Sequence, residues 1–272
     1  MSNHMRDDHA PTPQIALENI GKSFYVNRMP LDVLREIDLR VNEGEFVSLI
    51  GPSGCGKSTL LNIIAGLEEP TTGSIQINGL MDSRRLGAIG YMHQKDLLLP
   101  WRTVLDNAIL ALEIQGEPRS QSHQRAMSVI EAFGLKGFEK SHPSFLSGGM
   151  RQRAAFLRTV LAGRDVILLD EPFGALDAIT RSNMQEWLLH LWGSWEKTVV
   201  MVTHDVEEAI LLSDTVYVLT SRPGKVSMVL TVDIPRPRRY EVVTQGHFVS
   251  MKAKLMAALV ESEQKPSIIA EP

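Results

Sequence analysis

The run G-P-S-G-C-G-K-S-T at residues 51–59 constrains this chain more than any other feature. It follows a short apolar segment, residues 46–50, and opens an amphipathic one, residues 59–67, so the spacing G-x-x-x-x-G-K-S falls between an expected strand and an expected helix. The glycines let the backbone curl until several N–H groups point inward. The helix start adds a partial positive charge and Lys57 a full one, which together make a nest for a polyphosphate. The Ser58 hydroxyl is then placed to ligate a magnesium ion that bridges the phosphates. A glycine-rich turn that only joins strand to helix needs neither the lysine nor the serine at these positions.

Composition sets the outer limits. A chain of 272 residues has room for one large or two small domains and a sizeable buried core. Its 28 basic and 32 acidic residues leave a formal net charge of -4, so global electrostatics makes no case for nucleic-acid binding, while a local groove stays open. The single cysteine, Cys55, sits inside the phosphate loop; with no second cysteine there is no disulfide framework, and a reducing compartment is expected. A thiol at that position is also expected to react with alkylating reagents and to be shielded by bound nucleotide. No apolar run approaches the roughly 18 residues needed to cross a bilayer, and no signal-peptide apolar region stands at the N-terminus. Work at a membrane would then go through partners.

Residues 1–14 are polar, with Pro11 and Pro13, and read as a disordered lead-in. Residues 15–20 read as an edge or half-buried strand and 33–41 as a second strand, with Phe24 and Tyr25 in a loop between them. Two strands and a turn at 42–44 ahead of the phosphate loop suggest an antiparallel flap beside the nucleotide site. An aromatic ring there would stack on a purine base; the plainer alternative is a core or strand-end aromatic. A turn at 68–73 leads into the short alternating run 74–78, and 88–92 is another strand candidate, ending at His93 and Gln94. Between 95 and 102, Leu97, Leu98, Leu99, Pro100 and Trp101 crowd into a segment that Pro100 argues is not a helix. Such a loop either packs into the core or stays exposed for a partner.

Helical apolar spacing covers 104–114 and 121–133, broken by Gly116-Glu117-Pro118 and closed by Gly134, so a helical subdomain is expected over 95–164. Ser147, Gly148 and Gly149 stand before a long helical stretch, 150–162, as an ordinary N-cap or as a second anion site. Residues 166–169 are continuously apolar, as in a strand buried on both faces of a parallel sheet, and end in Asp170 and Glu171. The carboxyl end of such a strand is where an open α/β sheet binds its ligand. Asp170 is expected to hold magnesium through its water shell, and Glu171 to orient or deprotonate an attacking water. A helix at 181–195, a strand at 198–202 and a helix at 206–212 repeat the α/β rhythm, and His204 again falls at a carboxyl strand end, placed for a phosphate contact. Runs 216–219 and 226–232 read as a closing hairpin, the three arginines of 235–239 as a solvated loop, and 246–263 as a terminal helix before a polar tail.

Taken in order, residues 51–58, Gln94, L-S-G-G-M at 146–150, the strand end 166–171, A-L-D at 175–177 and His204 make the chain resemble the nucleotide-binding subunit of an ABC transporter, over roughly 15–232. The resemblance implies an α/β fold: a P-loop NTPase core with a RecA-like mixed sheet flanked by helices, assembled from 15–94 and 165–232 and carrying an antiparallel β subdomain. An inserted helical signature subdomain would occupy 95–164, and a C-terminal extension 233–272. Gly51, Pro52, Ser53, Gly54, Cys55, Gly56, Lys57, Ser58 and Thr59 then correspond to Walker A around ATP, and Asp170 closes Walker B. Glu171 looks like the catalytic carboxylate, His204 the switch histidine, and Gln94 the Q-loop glutamine that contacts the metal and the attacking water. Ser58, Gln94 and Asp170 are the implied Mg²⁺ residues. Phe24 sits where the base-stacking aromatic is expected, with Tyr25 as the fallback. In this family two cassettes face each other head to tail. Ser147, Gly148 and Gly149 of one subunit would therefore cap the ATP held by Walker A of the other, and Asp177 would lie across the dimer axis. Met150 stands where glutamine is commoner, a departure that leaves the anion donors in place.

The run L-L-L-P-W-R-T-V-L-D-N-A at 97–108 is similar to the region after the Q-loop in bacterial importers of nitrate, sulfonate, taurine and related compounds, thiamine-precursor systems included. The resemblance implies an ATPase coupled to import: a homodimer of ATP-binding subunits, a separate permease and, indirectly, an extracytoplasmic solute-binding protein. It implies a peripheral position on the cytoplasmic face of the inner (plasma) membrane and no nucleic-acid partner, with residues 97–101 beneath the permease's coupling helix. The alternative is an ABC-type ATPase acting on nucleic acid or ribosomes. Such proteins usually carry a long coiled-coil insertion or two cassettes in one chain, and no sustained heptads separate Lys57 from Ser147. A P-loop kinase or GTPase would lack both the L-S-G-G run and His204. The solute stays open, because selectivity belongs to the binding protein and the permease.

Overall fold

Strand β3 (Phe46–Ile50) is buried at all five positions and lies inside a six-stranded sheet of order β5-β6-β7-β3-β8-β9. The other members are β5 (Gly90–Met92), β6 (Val166–Asp170), β7 (Thr198–Val202), β8 (Thr215–Leu219) and β9 (Val226–Thr231). All adjacent pairs are parallel except β8 with β9. The near-continuous apolar sequences of β3, β6 and β7 follow from burial on both faces, which a parallel sheet sandwiched by helices requires, whereas the antiparallel edge strand β9 alternates between half-buried and exposed. The computed structural model describes residues 13–81, 85–192 and 197–264. Most of the expected lead-in, the polar tail and the last residues of the helix expected at 181–195 lie outside those ranges.

A second, three-stranded antiparallel sheet has the order β2-β1-β4, with β1 at Ile15–Val26, β2 at Met29–Val41 and β4 at Thr72–Ile77. Its apolar face, Ile15, Leu17, Ile20, Leu39 and Val41, shares one core with Leu60, Leu61 and Ile64 of helix α1 (Lys57–Ala65). Strand β1 runs further than its sequence pattern predicts. Phe24 and Tyr25 lie within it, paired to Leu31 and Pro30, rather than in a loop. The cause is a two-residue connection, Asn27 and Arg28, both at positive φ (51° and 66°), the geometry that lets a tight hairpin continue the strand twist.

Between β5 and β6 the chain is helical: α2 (Val104–Ala108), α3 (Leu110–Ile114), α4 (Arg119–Val129) and α5 (Gly148–Leu161). The single helix expected at 104–114 is two, interrupted at Ile109 (φ -86°, ψ 0°). Buried Asn107 donates to the carbonyls of Leu99, Arg102 and Thr103 and accepts from the Leu99 N–H, so it ties α2 to the preceding apolar loop. The helices α6 (Ala178–Trp192), α7 (Val206–Leu212) and α8 (Gly246–Gln264) complete the fold, α8 burying Phe248 and Leu255.

Two of the three arginines of 235–239 depart from the expected solvated loop, while Arg239 is exposed. Arg238 is only 6% exposed and donates to the carbonyls of Ile210, Leu211 and Ser213, at and just past the C-terminal end of α7. Terminal helix carbonyls lack intrahelical donors, and a guanidinium supplies several at once. Burial, assisted by neighbouring Arg236, pulls the Arg238 pKa down to about 10. Arg236 itself pairs with Asp214 at 2.8 Å.

Candidate functional site

Four loops meet at the carboxyl edge of the parallel strands: the phosphate loop after β3, and the segments bearing Gln94, Glu171 and His204 after β5, β6 and β7. The phosphate loop enters α1 through Gly56 at φ +108°, where an added Cβ would lie 2.7 Å from Leu34 Cδ2. Glycine is required there by both conformation and space. Lys57 is only 7% exposed, and its ammonium donates to the carbonyls of Gly51 (2.8 Å) and Pro52 (2.9 Å). It also reaches the Cys55 sulfur at 3.8 Å and, among the described residues, has no ion pair, so this buried charge favours an anion beside it.

Ser58 Oγ donates to Asp170 Oδ1 at 3.2 Å. Asp170 is buried, which raises its pKa, with the Ser58 hydrogen bond acting in the opposite direction. Cys55 points the other way: it is 1% exposed and packed in the core with Leu34, Leu49 and Leu219. Burial pushes its thiol pKa above the ordinary 9.0. The expected accessible thiol is therefore absent, because this position of the loop faces the sheet rather than the cleft.

Glu171 follows the last residue of β6 and has φ +45°, an uncommon conformation for a residue with a side chain. Its N–H bonds to Val202 O at 2.9 Å, extending the β6–β7 ladder by one residue. Its Oε2 accepts from Gln94 Nε2 at 2.9 Å and lies 3.5 Å from His204 Nδ1. Two side chains from two neighbouring loops thus converge on one Glu171 carboxylate oxygen. They open onto a cavity of about 720 Å³ that also takes in Ser53, Gly54, Gly56, Lys57, Ser58 and Thr59. That volume suits a small-molecule ligand of ordinary size. Phe24 lines the same cavity, with the Lys22 ammonium 4.8 Å from its ring centroid, whereas Tyr25 is exposed and outside it.

The model for the ABC transporter family matches residues 34–174. This chain belongs to the ABC transporter family. It is 42% identical over 231 residues to a formylaminopyrimidine import ATP-binding protein of Halalkalibacterium halodurans, covering 84% of this chain and 90% of that protein. It is 43% identical over 264 residues to a bicarbonate transport ATP-binding protein of Synechococcus elongatus, covering 92% of this chain and 38% of that longer protein. Among solved structures, a dimeric ATP-binding cassette in a post-hydrolysis state bound to ADP and Pi matches with a TM-score of 0.71 and 31% identity, over 81% of this chain and 100% of that one. The mixed sheet with its antiparallel companion is the fold of these ABC cassettes.

The ABC signature residues do not join the rest of the site within one chain. Ser147 caps α5 by accepting from the Met150 N–H at 3.3 Å, so the cap role is filled. Ser147 and Gly148 are exposed, and Gly149 packs so close to Thr180 that a Cβ would lie 2.9 Å from its Cγ2. Asp177 is also exposed; hydrogen bonds from Thr180 lower its pKa. None of the four lines the cavity, nor do Gly51, Pro52 or Cys55, the first two of which offer their carbonyls to Lys57. The sequence reading missed the apolar wall of Val26, Leu31 and Val33, and it missed Arg222. The wall follows from the alternation of β1 and β2 once their pairing is known; Arg222 carries no local pattern that could have found it.

Proposed function

We propose that this chain is the ATP-hydrolysing subunit of a bacterial ABC importer and works as a head-to-tail homodimer. The observation that carries the reading is the convergence of Gln94 and His204 on the Glu171 carboxylate at the mouth of the phosphate loop. In this reading the triphosphate lies along residues 51–59, where backbone N–H groups, the start of α1 and Lys57 offset its charge. The oxygens of Ser58 and Asp170, 3.2 Å apart, and the amide oxygen of Gln94 form a hard donor set that fits Mg²⁺. When bound, Mg²⁺ neutralises charge on the phosphoryl oxygens. Glu171 orients the attacking water and takes its proton, Gln94 holds the Glu171 carboxylate, and His204 sits beside the departing phosphate.

Ser147, Gly148, Gly149 and Asp177 lie outside the cavity of their own chain, and the exposure of Ser147, Gly148 and Asp177 suits contact with ATP held by a second copy. The dimeric cassette with ADP and Pi supports that arrangement. The two functional units in this reading are the core of 15–94 with 165–232 and the helical unit 95–164, followed by the extension 233–272. Leu97 is 52% and Trp101 71% exposed beside Gln94, which suits the permease contact expected of residues 97–101. In this reading the permease is a separate chain and this subunit rests peripherally on its cytoplasmic face; no helix of the described residues is long and apolar enough to cross a membrane. An extracytoplasmic solute-binding protein acts only indirectly. Two relatives of nearly equal identity carry different solute names, which supports placing solute choice in other subunits. Nitrate, sulfonate, taurine and thiamine-precursor compounds make up the solute class.

The substitution Glu171→Gln tests the chemistry. Steady-state turnover is expected to fall about 10²- to 10⁴-fold while ATP affinity stays within about threefold of the parent. Turnover at the parent rate would remove Glu171 from this role.

A further inference from the structure

Arg222 stands in the turn between β8 and β9, an element that none of the motif residues occupies. Its guanidinium reaches across to the phosphate loop, where Nη2 and Nε both donate to the Gly54 carbonyl, at 2.9 and 3.2 Å. Arg222 lines the same cavity as Ser53 and Lys57. The turn that carries it is bolted to the site. Gly224 N donates to Val33 O at 2.9 Å, Arg35 N donates to Gly224 O at 3.0 Å, and a Cβ on Gly224 would lie 2.3 Å from Cys55 O. The backbone of the turn is therefore fixed against β2 and the phosphate loop, and the guanidinium reaches from it to Gly54.

A guanidinium stays protonated at any physiological pH, and its five donors exceed what one carbonyl uses. Among the described residues Arg222 has no ion pair, so its charge is uncompensated. Lys57 likewise has no ion pair among the described residues; its ammonium is held by the Gly51 and Pro52 carbonyls and the Cys55 sulfur. At the phosphate-loop end of the cleft, Lys57 and Arg222 are two cations without an ion pair, an arrangement suited to an anionic ligand. A guanidinium that merely braced the loop would not need to stand open to the cavity.

We infer that Arg222 is a second cation for the polyphosphate of the bound nucleotide, acting with Lys57 and holding the phosphate loop through Gly54. The inference rests on the reading of this cavity as the ATP site. Its test is a comparison of the full-length parent with Arg222→Gln and Arg222→Lys, measuring ATP affinity without Mg²⁺ by displacement of a fluorescent ATP analogue, and KM and kcat with Mg²⁺. Arg222→Gln is expected to weaken ATP binding about tenfold, and Arg222→Lys less than about threefold, because the charge and not the fork shape does the work. KM rises with the affinity loss while kcat stays within about twofold. The deficit of Arg222→Gln shrinks between about 50 and about 500 mM salt, as screening weakens the lost attraction. Parent-like ATP affinity in Arg222→Gln overturns the inference, and so does a lysine variant as weak as the glutamine one, which would make Arg222 a brace for the loop. If Arg222→Gln melts well below the parent, Arg222→Lys decides alone: retained, salt-sensitive binding supports the inference and lost binding overturns it. A parent protein that binds no ATP would instead sink the reading of the cavity itself.

Discussion

The Gln94 amide nitrogen lies 2.9 Å from Glu171 Oε2, a hydrogen bond between the ends of two neighbouring parallel strands 77 positions apart in sequence. The bond holds the proposed catalytic carboxylate, and Gln94 belongs to the segment that leads straight into the exposed Leu97 and Trp101. Displacement of that segment by a partner would carry Gln94 with it. The proposed nucleotide chemistry and the proposed permease contact are thereby separated by only a few residues of backbone.

Replacing Gln94 with alanine removes the donor without touching the phosphate loop. Turnover is expected to fall about 10- to 100-fold with ATP affinity changed less than about threefold, because Glu171 is left free to rotate rather than absent. Steady-state kinetics alongside an equilibrium ATP titration checks this. A loss confined to affinity would contradict the positioning role.

Cys55 is expected to resist alkylation at neutral pH equally with and without saturating ATP, since burial keeps it protonated and out of reach. The linkage has a definite sign. A thiol whose folded pKa is raised contributes stability that is full below its unfolded value and is lost as pH climbs through the higher folded value. Urea unfolding of the parent should therefore weaken above about pH 9, and Cys55→Ala should remove part of that alkaline loss. Rapid alkylation of the native protein at pH 7, slowed by ATP, would overturn the buried placement.

Arg238→Ala should lower the unfolding free energy by about 2–4 kcal/mol, because several buried carbonyls at the end of α7 lose their donor together. Arg238→Lys should recover only part of the loss, having fewer donors in a different geometry. Chemical denaturation measures both, and a change below about 1 kcal/mol for the alanine variant would show that water replaces the guanidinium freely.

What the sequence makes legible is what local spacing encodes. The strand Phe46–Ile50, the strand Thr198–Val202 and the helix Val206–Leu212 begin and end where their apolar runs and flanking polar residues place them. The glycine spacing of the phosphate loop marks its backbone, and continuous apolar strands ending in Asp170 and before His204 mark the ligand edge of the sheet. The rest depends on contacts between distant residues. Phe24 extends β1 only because Asn27 and Arg28 take positive φ and bring β2 alongside. Arg238 reads as one more charge in a basic run until the unfilled carbonyls of α7 stand beside it. Arg222 and Gly54 meet across 168 positions of sequence, which no periodicity records. Cys55 belongs to a cleft motif, and only the packing of α1 on the sheet shows that its side chain points into the core.

The exposed Ser147 and Gly148, outside the cavity that holds Lys57, make the central claim one about two chains rather than one. Complementation tests it most directly. Lys57→Ala disables the phosphate loop, and Ser147→Arg fills the proposed contact to the other subunit's ATP; each variant alone should hydrolyse ATP at under about 1% of the parent rate. In a mixed dimer one site pairs an intact phosphate loop with an intact signature. A differently tagged pair, purified as the heterodimer, should therefore recover ATP hydrolysis well above either parent variant. A purified heterodimer as inactive as its components, or a Ser147→Arg protein that hydrolyses ATP normally by itself, would contradict the account.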